Sequence, residues 1–151
     1  MDARLNLYGN TVAAKFAKYI NSAGAVVTGS SLPAATQELV KIRASQINGC
    51  AVCLHMHAAA LQKNGESYER VLGVAAWRDS PFYSDAERVA LELTEELTRI
   101  ADRGEAVSDE LWTAATKHFD EEQLSALLIS ISAINVWNRL NAATRQVAGA
   151  Y

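Results

Sequence analysis

The chain has 151 residues, half of them apolar and 21% charged, with a formal net charge of −3. That length supports a hydrophobic core, and the composition is that of an ordinary globular protein. No Lys/Arg cluster offers a basic face to nucleic acid or to a membrane surface, and the longest apolar stretch, 124–136, is broken by Ser125, Ser130, Ser132 and Asn135 and is too short to span a bilayer.

The first ten residues lack a basic start followed by an apolar run, so no signal peptide is expected and a cytoplasmic location is predicted. In a reducing cytoplasm the two cysteines are a poor structural staple. No repeat, low-complexity tract or linker divides the chain, and one domain over 1–151 is expected.

Two prolines, eight glycines and no sustained alternation of apolar and polar residues predict an all-α fold. In chain order, a helix is expected over 12–20, followed by a mobile loop over 23–31. Pro33 suits a first helical position and opens a helix to residue 47, which Gly49 breaks. A helix over 50–63 closes at Asn64-Gly65. A short helix covers 68–76, and 80–84 forms a loop. Ser84 with Glu87 makes a capping box for a helix to residue 102, with Gly104 as its stop. Its apolar residues, from Ala86 and Val89 to Leu97 and Ile100, repeat at three and four. Ser108 caps a helix to residue 118, and Asp120 with Gln123 opens a long helix to residue 147. This last helix is apolar nearly all round, as a central helix or a subunit interface would be.

"NGCAVCLHMH", residues 48–57, holds both cysteines and two of the three histidines. On one helix at about 100° per residue, with Cys50 at zero, Cys53 falls at about −60°, His57 at about −20° and His55 at about 140°. His57 therefore shares a face with the thiols, and His55 does not. Three readings stay open. A closed zinc site needs four tetrahedral ligands, and one helix offering three in a row with no second cysteine pair fits it poorly. Buried cysteines can simply be packing. A redox pair fits the spacing. Thiolates are favoured near helix N-termini, the sulfurs can reach each other, and His57 can carry a proton.

The segment "ELVKIRASQINGCAVCLHMHAAALQKNG", 38–65, resembles the AhpD-like alkylhydroperoxidases of the carboxymuconolactone decarboxylase superfamily. The matching pattern is a Glu, eleven residues, then C-x-x-C-x-x-x-H, here Glu38, Cys50, Cys53 and His57. "NVWNRL", 135–140, and "FYSDAERVALELTEEL", 82–97, extend the likeness. The resemblance implies a compact helical fold of about six to eight helices, assembled as homo-oligomers, trimers or hexamers. It also implies reduction of alkyl hydroperoxides or hydrogen peroxide in antioxidant defence. In that scheme Cys53 attacks the peroxide, Cys50 resolves the product, and His57 and Glu38 relay protons. An external dithiol, such as a lipoyl-bearing protein, restores the thiols. The dipole alone would favour Cys50 as the reactive thiol, whereas proximity to His57 favours Cys53. Val52 stands where well-studied members carry a histidine. The alternatives are a non-catalytic thiol-disulfide sensor and a lactone decarboxylase of the same superfamily.

No phosphate-binding glycine pattern occurs, so no nucleotide or flavin cofactor is expected. Trp77, Trp112 and Trp137 read as core or interface anchors. Trp77, beside "RDSPFY", is a candidate for lining an entrance to the thiols.

Overall fold

A computed structural model describes residues 2–150. It contains seven α-helices: α1 (Thr11–Thr28), α2 (Ala34–Asn48), α3 (Ala51–Lys63), α4 (Tyr68–Gly73), α5 (Asp85–Thr98), α6 (Asp109–His118) and α7 (Glu121–Thr144). Two 3-10 segments, Val74–Asp79 and Ile100–Asp102, follow α4 and α5, and no strand occurs among the described residues. The all-α expectation holds. No helix among the described residues is long and apolar enough to cross a membrane.

The local signals account for most boundaries. Ser84 and Asp120 each form a capping box, and Ser67 and Ser108 each accept a hydrogen bond from the third N–H of their helices. Gly49 adopts a left-handed φ of 67°, which a glycine reaches without the Cβ penalty, and turns the chain from α2 into α3.

Three expectations are corrected. The loop expected over 23–31 is helical as far as Thr28. Asn10 caps α1 by accepting from the N–H groups of Val12 and Ala13, and Val27 buries itself in the core at the far end. Tertiary packing thus carries the helix through Gly24, whose own propensity opposes it by about 1 kcal/mol. The helix expected to reach residue 102 ends at Thr98 and tightens into the 3-10 turn. There Glu96 accepts from Arg103 and from the Ser108 N–H, which draws the connection to α6 back over the end of α5. The last helix stops at Thr144, because Arg145 turns left-handed at φ 53°. The Arg4 N–H donates to the Thr144 carbonyl, and Gln146 Nε2 to that of Leu5, so the N-terminal segment lies across this helix end.

Two elements are central: α7, which packs against α1, α2, α3, α5 and α6, and α2. The latter packs against α3, α5 and α7, and its successive residues serve three apolar clusters. Val40 joins Leu93, Leu111, Leu127 and Ile131. Leu39 and Ile42 join Leu61, Val74, Trp77 and Leu91. Ala44 joins Val52, both cysteines and Ile134. Each buried Leu or Ile contributes about 1.5–3 kcal/mol. The α2–α7 seam also carries polar groups. Asn48 Nδ2 donates to Asn135 Oδ1 (2.9 Å) and Asn138 Oδ1 (3.0 Å), and Asn138 Nδ2 donates to Ser45 Oγ (3.0 Å). This ladder fixes the end of α2 against α7, immediately before the cysteines.

Candidate functional site

The site begins at the left-handed turn. After Gly49, the Cys50 N–H donates to the Ser45 carbonyl, and Cys50 becomes the N-cap of α3. Its sulfur accepts from the Cys53 N–H at 3.3 Å, as a serine hydroxyl would. Cys53 is the third residue of the helix. The two cysteines form a disulfide with Cα atoms 5.4 Å apart, and they are only 2% and 3% exposed. The capping role places both sulfurs at the positive end of α3, where negative charge is favoured.

Cys53 opens onto a cavity of about 290 Å³. His57, one turn further along α3, lines the same cavity, with Ile134, Trp137 and Asn141 from α7, Met56, and Tyr8 from the N-terminal segment. Asn141 Nδ2 donates to the Cys53 sulfur at 3.4 Å. The walls are mainly apolar, with a small number of polar groups among them, as in small-molecule sites generally.

Behind His57 stands Glu38. His57 Nδ1 and Glu38 Oε2 are 2.8 Å apart, and the other carboxylate oxygen accepts from Lys41 Nζ at 2.8 Å. Burial pushes the Glu38 carboxyl up. The His57 hydrogen bond and the Lys41 ammonium outweigh that effect and hold it below its ordinary 4.5. Glu38 is therefore an anion at neutral pH and fixes the imidazole with Nδ1 turned inward. This leaves Nε2 as the ring nitrogen not engaged by Glu38. Lys41 and His57 also line a second cavity, of about 360 Å³, between α1 and α7.

The four residues picked from the sequence thus lie in one connected arrangement: Cys50 bonded to Cys53, Cys53 and His57 on one cavity, and Glu38 on His57. His55 is exposed, as its angle on the helix predicts. Val52 is buried beside Ile134 in the third cluster, so no proton carrier stands between the cysteines. Trp77 does not line the entrance suggested for it. It is buried in the second cluster, with its indole N–H donated to Glu95 at 2.8 Å, and Trp137 takes the position against the cavity instead. Among the described residues no three His, Cys, Asp or Glu side chains are grouped to hold a metal ion.

Sequence reasoning passed over Asn141, Lys41 and Tyr8. Asn141 did carry a signal. Asn135, Asn138 and Asn141 recur every third residue within an otherwise apolar helix, and buried amides need partners. Lys41 follows Glu38 by three residues, an ordinary surface pair on a helix. Tyr8 comes from a non-helical segment with no pattern to mark it.

Set beside known proteins, the chain matches the model of the carboxymuconolactone decarboxylase family over residues 14–96. It is 45% identical over 114 residues to the uncharacterized protein YdfG of Bacillus subtilis, covering 76% of each chain. It is 33% identical over 114 residues to the uncharacterized protein YnjA of Escherichia coli, covering 76% of this chain and 61% of that one. The fold matches the crystal structure of ATU0492 from Agrobacterium tumefaciens, a protein of unknown function provisionally described as an antioxidant defence protein AhpD. The TM-score is 0.90 at 31% identity, covering 99% of this chain and 100% of the other. The chain belongs to the carboxymuconolactone decarboxylase family, and its all-α fold is AhpD-like.

Proposed function

We propose that this protein is a thiol-dependent peroxidase that reduces organic hydroperoxides or hydrogen peroxide. The observation that carries the reading is the Cys50–Cys53 disulfide at the head of α3, with Cys53 and His57 on one apolar-walled cavity and Glu38 held against His57. The AhpD description of ATU0492 supports it.

In the reduced protein, the Cys53 thiolate attacks the terminal oxygen of the peroxide. An S–O bond forms, the O–O bond breaks, and the alkoxide departs as the alcohol once it is protonated. His57 relays that proton directly or through water, and the Glu38 carboxylate at its Nδ1 holds the ring in place for the transfer. The Cys50 thiol then gives up its proton as its sulfur attacks the sulfenic sulfur, the S–O bond breaks, and the departing hydroxide takes up that proton and leaves as water. The disulfide stores the two oxidising equivalents until an external dithiol, by class a lipoyl group or another small dithiol, returns two electrons and two protons. The helix N-terminus assists both thiolates.

Peroxide consumption in the presence of dihydrolipoamide tests the reading. Wild type is expected to turn over many equivalents, and Cys53→Ser to lose activity by at least about a hundredfold. Equal rates for the two proteins would overturn the peroxidase. One equivalent of oxidation with no turnover would make the disulfide a switch. Consumption of a carboxymuconolactone by a variant lacking both cysteines would favour a decarboxylase.

A further inference from the structure

A sulfur as buried as that of Cys53 is a poor thiolate unless something favours its charge, because removal from water raises a thiol's pKa. The helix N-terminus helps both cysteines alike. One further group distinguishes Cys53. Asn141, buried on α7, aims Nδ2 at its sulfur from 3.4 Å. A disulfide sulfur carries no proton, so only the N–H side of the amide can bond to it. The amide oxygen then faces the Tyr8 hydroxyl, which donates to Asn141 Oδ1 at 3.4 Å.

Tyr8 is not there by chance of a free tail. Leu7 beside it is buried, Arg4 N donates to the Thr144 carbonyl at 2.8 Å, and Gln146 Nε2 donates to the Leu5 carbonyl at 2.9 Å. These contacts hold the N-terminal segment over the end of α7, one turn from Asn141. The remaining titratable groups around the cavity are Cys50, and His57 with Glu38 and Lys41 behind it. From α1 come Ala17 and Asn21, which are neutral.

We propose that Asn141 is a catalytic hydrogen-bond donor that holds Cys53 in its thiolate form, and that Tyr8 is the positioning residue that fixes the direction of its amide. When the disulfide opens, the N–H···S contact gains a full negative charge on its acceptor and becomes charge-assisted, about twice the strength of its neutral counterpart. The assignment also resolves the competition between the two thiols. Cys50 caps the helix and is nearer its start, but Cys53 alone has a side-chain donor from another helix. Its consequence for turnover rests on the peroxidase reading, whereas its effect on the thiol does not.

The test uses the full chain carrying Cys50→Ser, which keeps an N-cap oxygen and leaves a single thiol to titrate. The alkylation rate of Cys53 is followed against pH, with Asn141→Leu, Asn141→Ser and Tyr8→Phe added in turn. Asn141→Leu is expected to raise the titration midpoint by about one pH unit, and Tyr8→Phe to raise it by less, in the same direction. In the protein with both cysteines, Asn141→Leu is expected to slow peroxide consumption about tenfold at pH 7, with most of that loss recovered at pH 9. A midpoint unmoved in a folded Asn141→Leu, by circular dichroism, would overturn the proposal. If that variant does not fold, Asn141→Ser, whose hydroxyl is too short to reach the sulfur, and Tyr8→Phe are judged by the same criterion. A wild type inert toward peroxide with a midpoint still moved by Asn141→Leu would sink the peroxidase and leave the donor standing.

Discussion

At Glu38 two opposing effects meet. Burial disfavours its charge, while the His57 ring and the Lys41 ammonium favour it and win. The sign of the linkage follows. A carboxyl whose folded pKa lies below its ordinary 4.5 stabilises the fold above that value, and the contribution is lost as the pH falls through the folded pKa. Glu38→Gln keeps the shape and an acceptor oxygen but loses the charge. Its stability should therefore depend less on pH than that of wild type. The difference in urea midpoint between pH 7 and pH 4 should shrink, and an unchanged difference would mean that the pairs do not matter. Peroxide consumption at pH 7 should fall about 10- to 100-fold, because the imidazole is no longer oriented or supported by an anion. Gly49 makes a simpler case. A Cβ there meets nothing within 4 Å, so the cost of Gly49→Ala is backbone strain alone at φ 67°. About 1 kcal/mol is expected by urea denaturation, with the slope of the transition unchanged.

The helices show which parts of the site were legible before coordinates. Where chemistry is written into neighbouring residues, the sequence is explicit. The capping boxes at Ser84 and Asp120, the break at Gly49 and the common face of Cys53 and His57 all come from spacings of three or four. What spacing does not record is long-range packing. Residues 23–28 look like a loop because Ser22, Gly24 and Thr28 are weak helix formers, yet α1 continues because Val27 finds a core among residues far along the chain. Glu38 was legible only by family likeness, since nothing local separates it from other helix carboxylates. The asparagine ladder lies between these extremes. Its period is visible on α7, but its partners Ser45 and Asn48 are not. Asn138, fully buried, holds both at once. Asn138→Ala removes one of the two acceptors for Asn48 and the donor to Ser45, and opens a small cavity. A loss of about 2–3 kcal/mol in urea denaturation is expected. A loss well under 1 kcal/mol would mean that the ladder adds little to the apolar contacts around it.

Across the whole molecule, the apolar clusters are tied by a charged hub as well as by α2. Glu95 on α5 accepts from Trp77 Nε1 (2.8 Å), Arg43 Nε (2.8 Å) and Arg78 Nη1 (2.7 Å), joining α2, α5 and the segment after α4. Arg43 is largely shielded from water, and Glu95 supplies its counter-charge. Burial pushes the Glu95 carboxyl up, but hydrogen bonds from Trp77 and Arg78 and the charge of Arg43 hold it below 4.5. Glu87, against Arg70, is held low in the same way. With Glu38, three buried or half-buried carboxylates must be protonated at acid pH, and each is bound in its charged form. Stability should thus be flat from pH 7 to about 5 and fall below about 4.5. Glu95→Gln separates the hub from the other two. At pH 7 it leaves a shielded guanidinium without its counter-charge, and a loss of about 3 kcal/mol is expected. As the pH falls, wild-type Glu95 takes up its own proton and comes to resemble the glutamine. The two stability curves should therefore converge on the acid side when urea unfolding is followed at pH 7, 5 and 3.5. A gap that stays constant across that range would assign the loss to packing around the amide and not to charge.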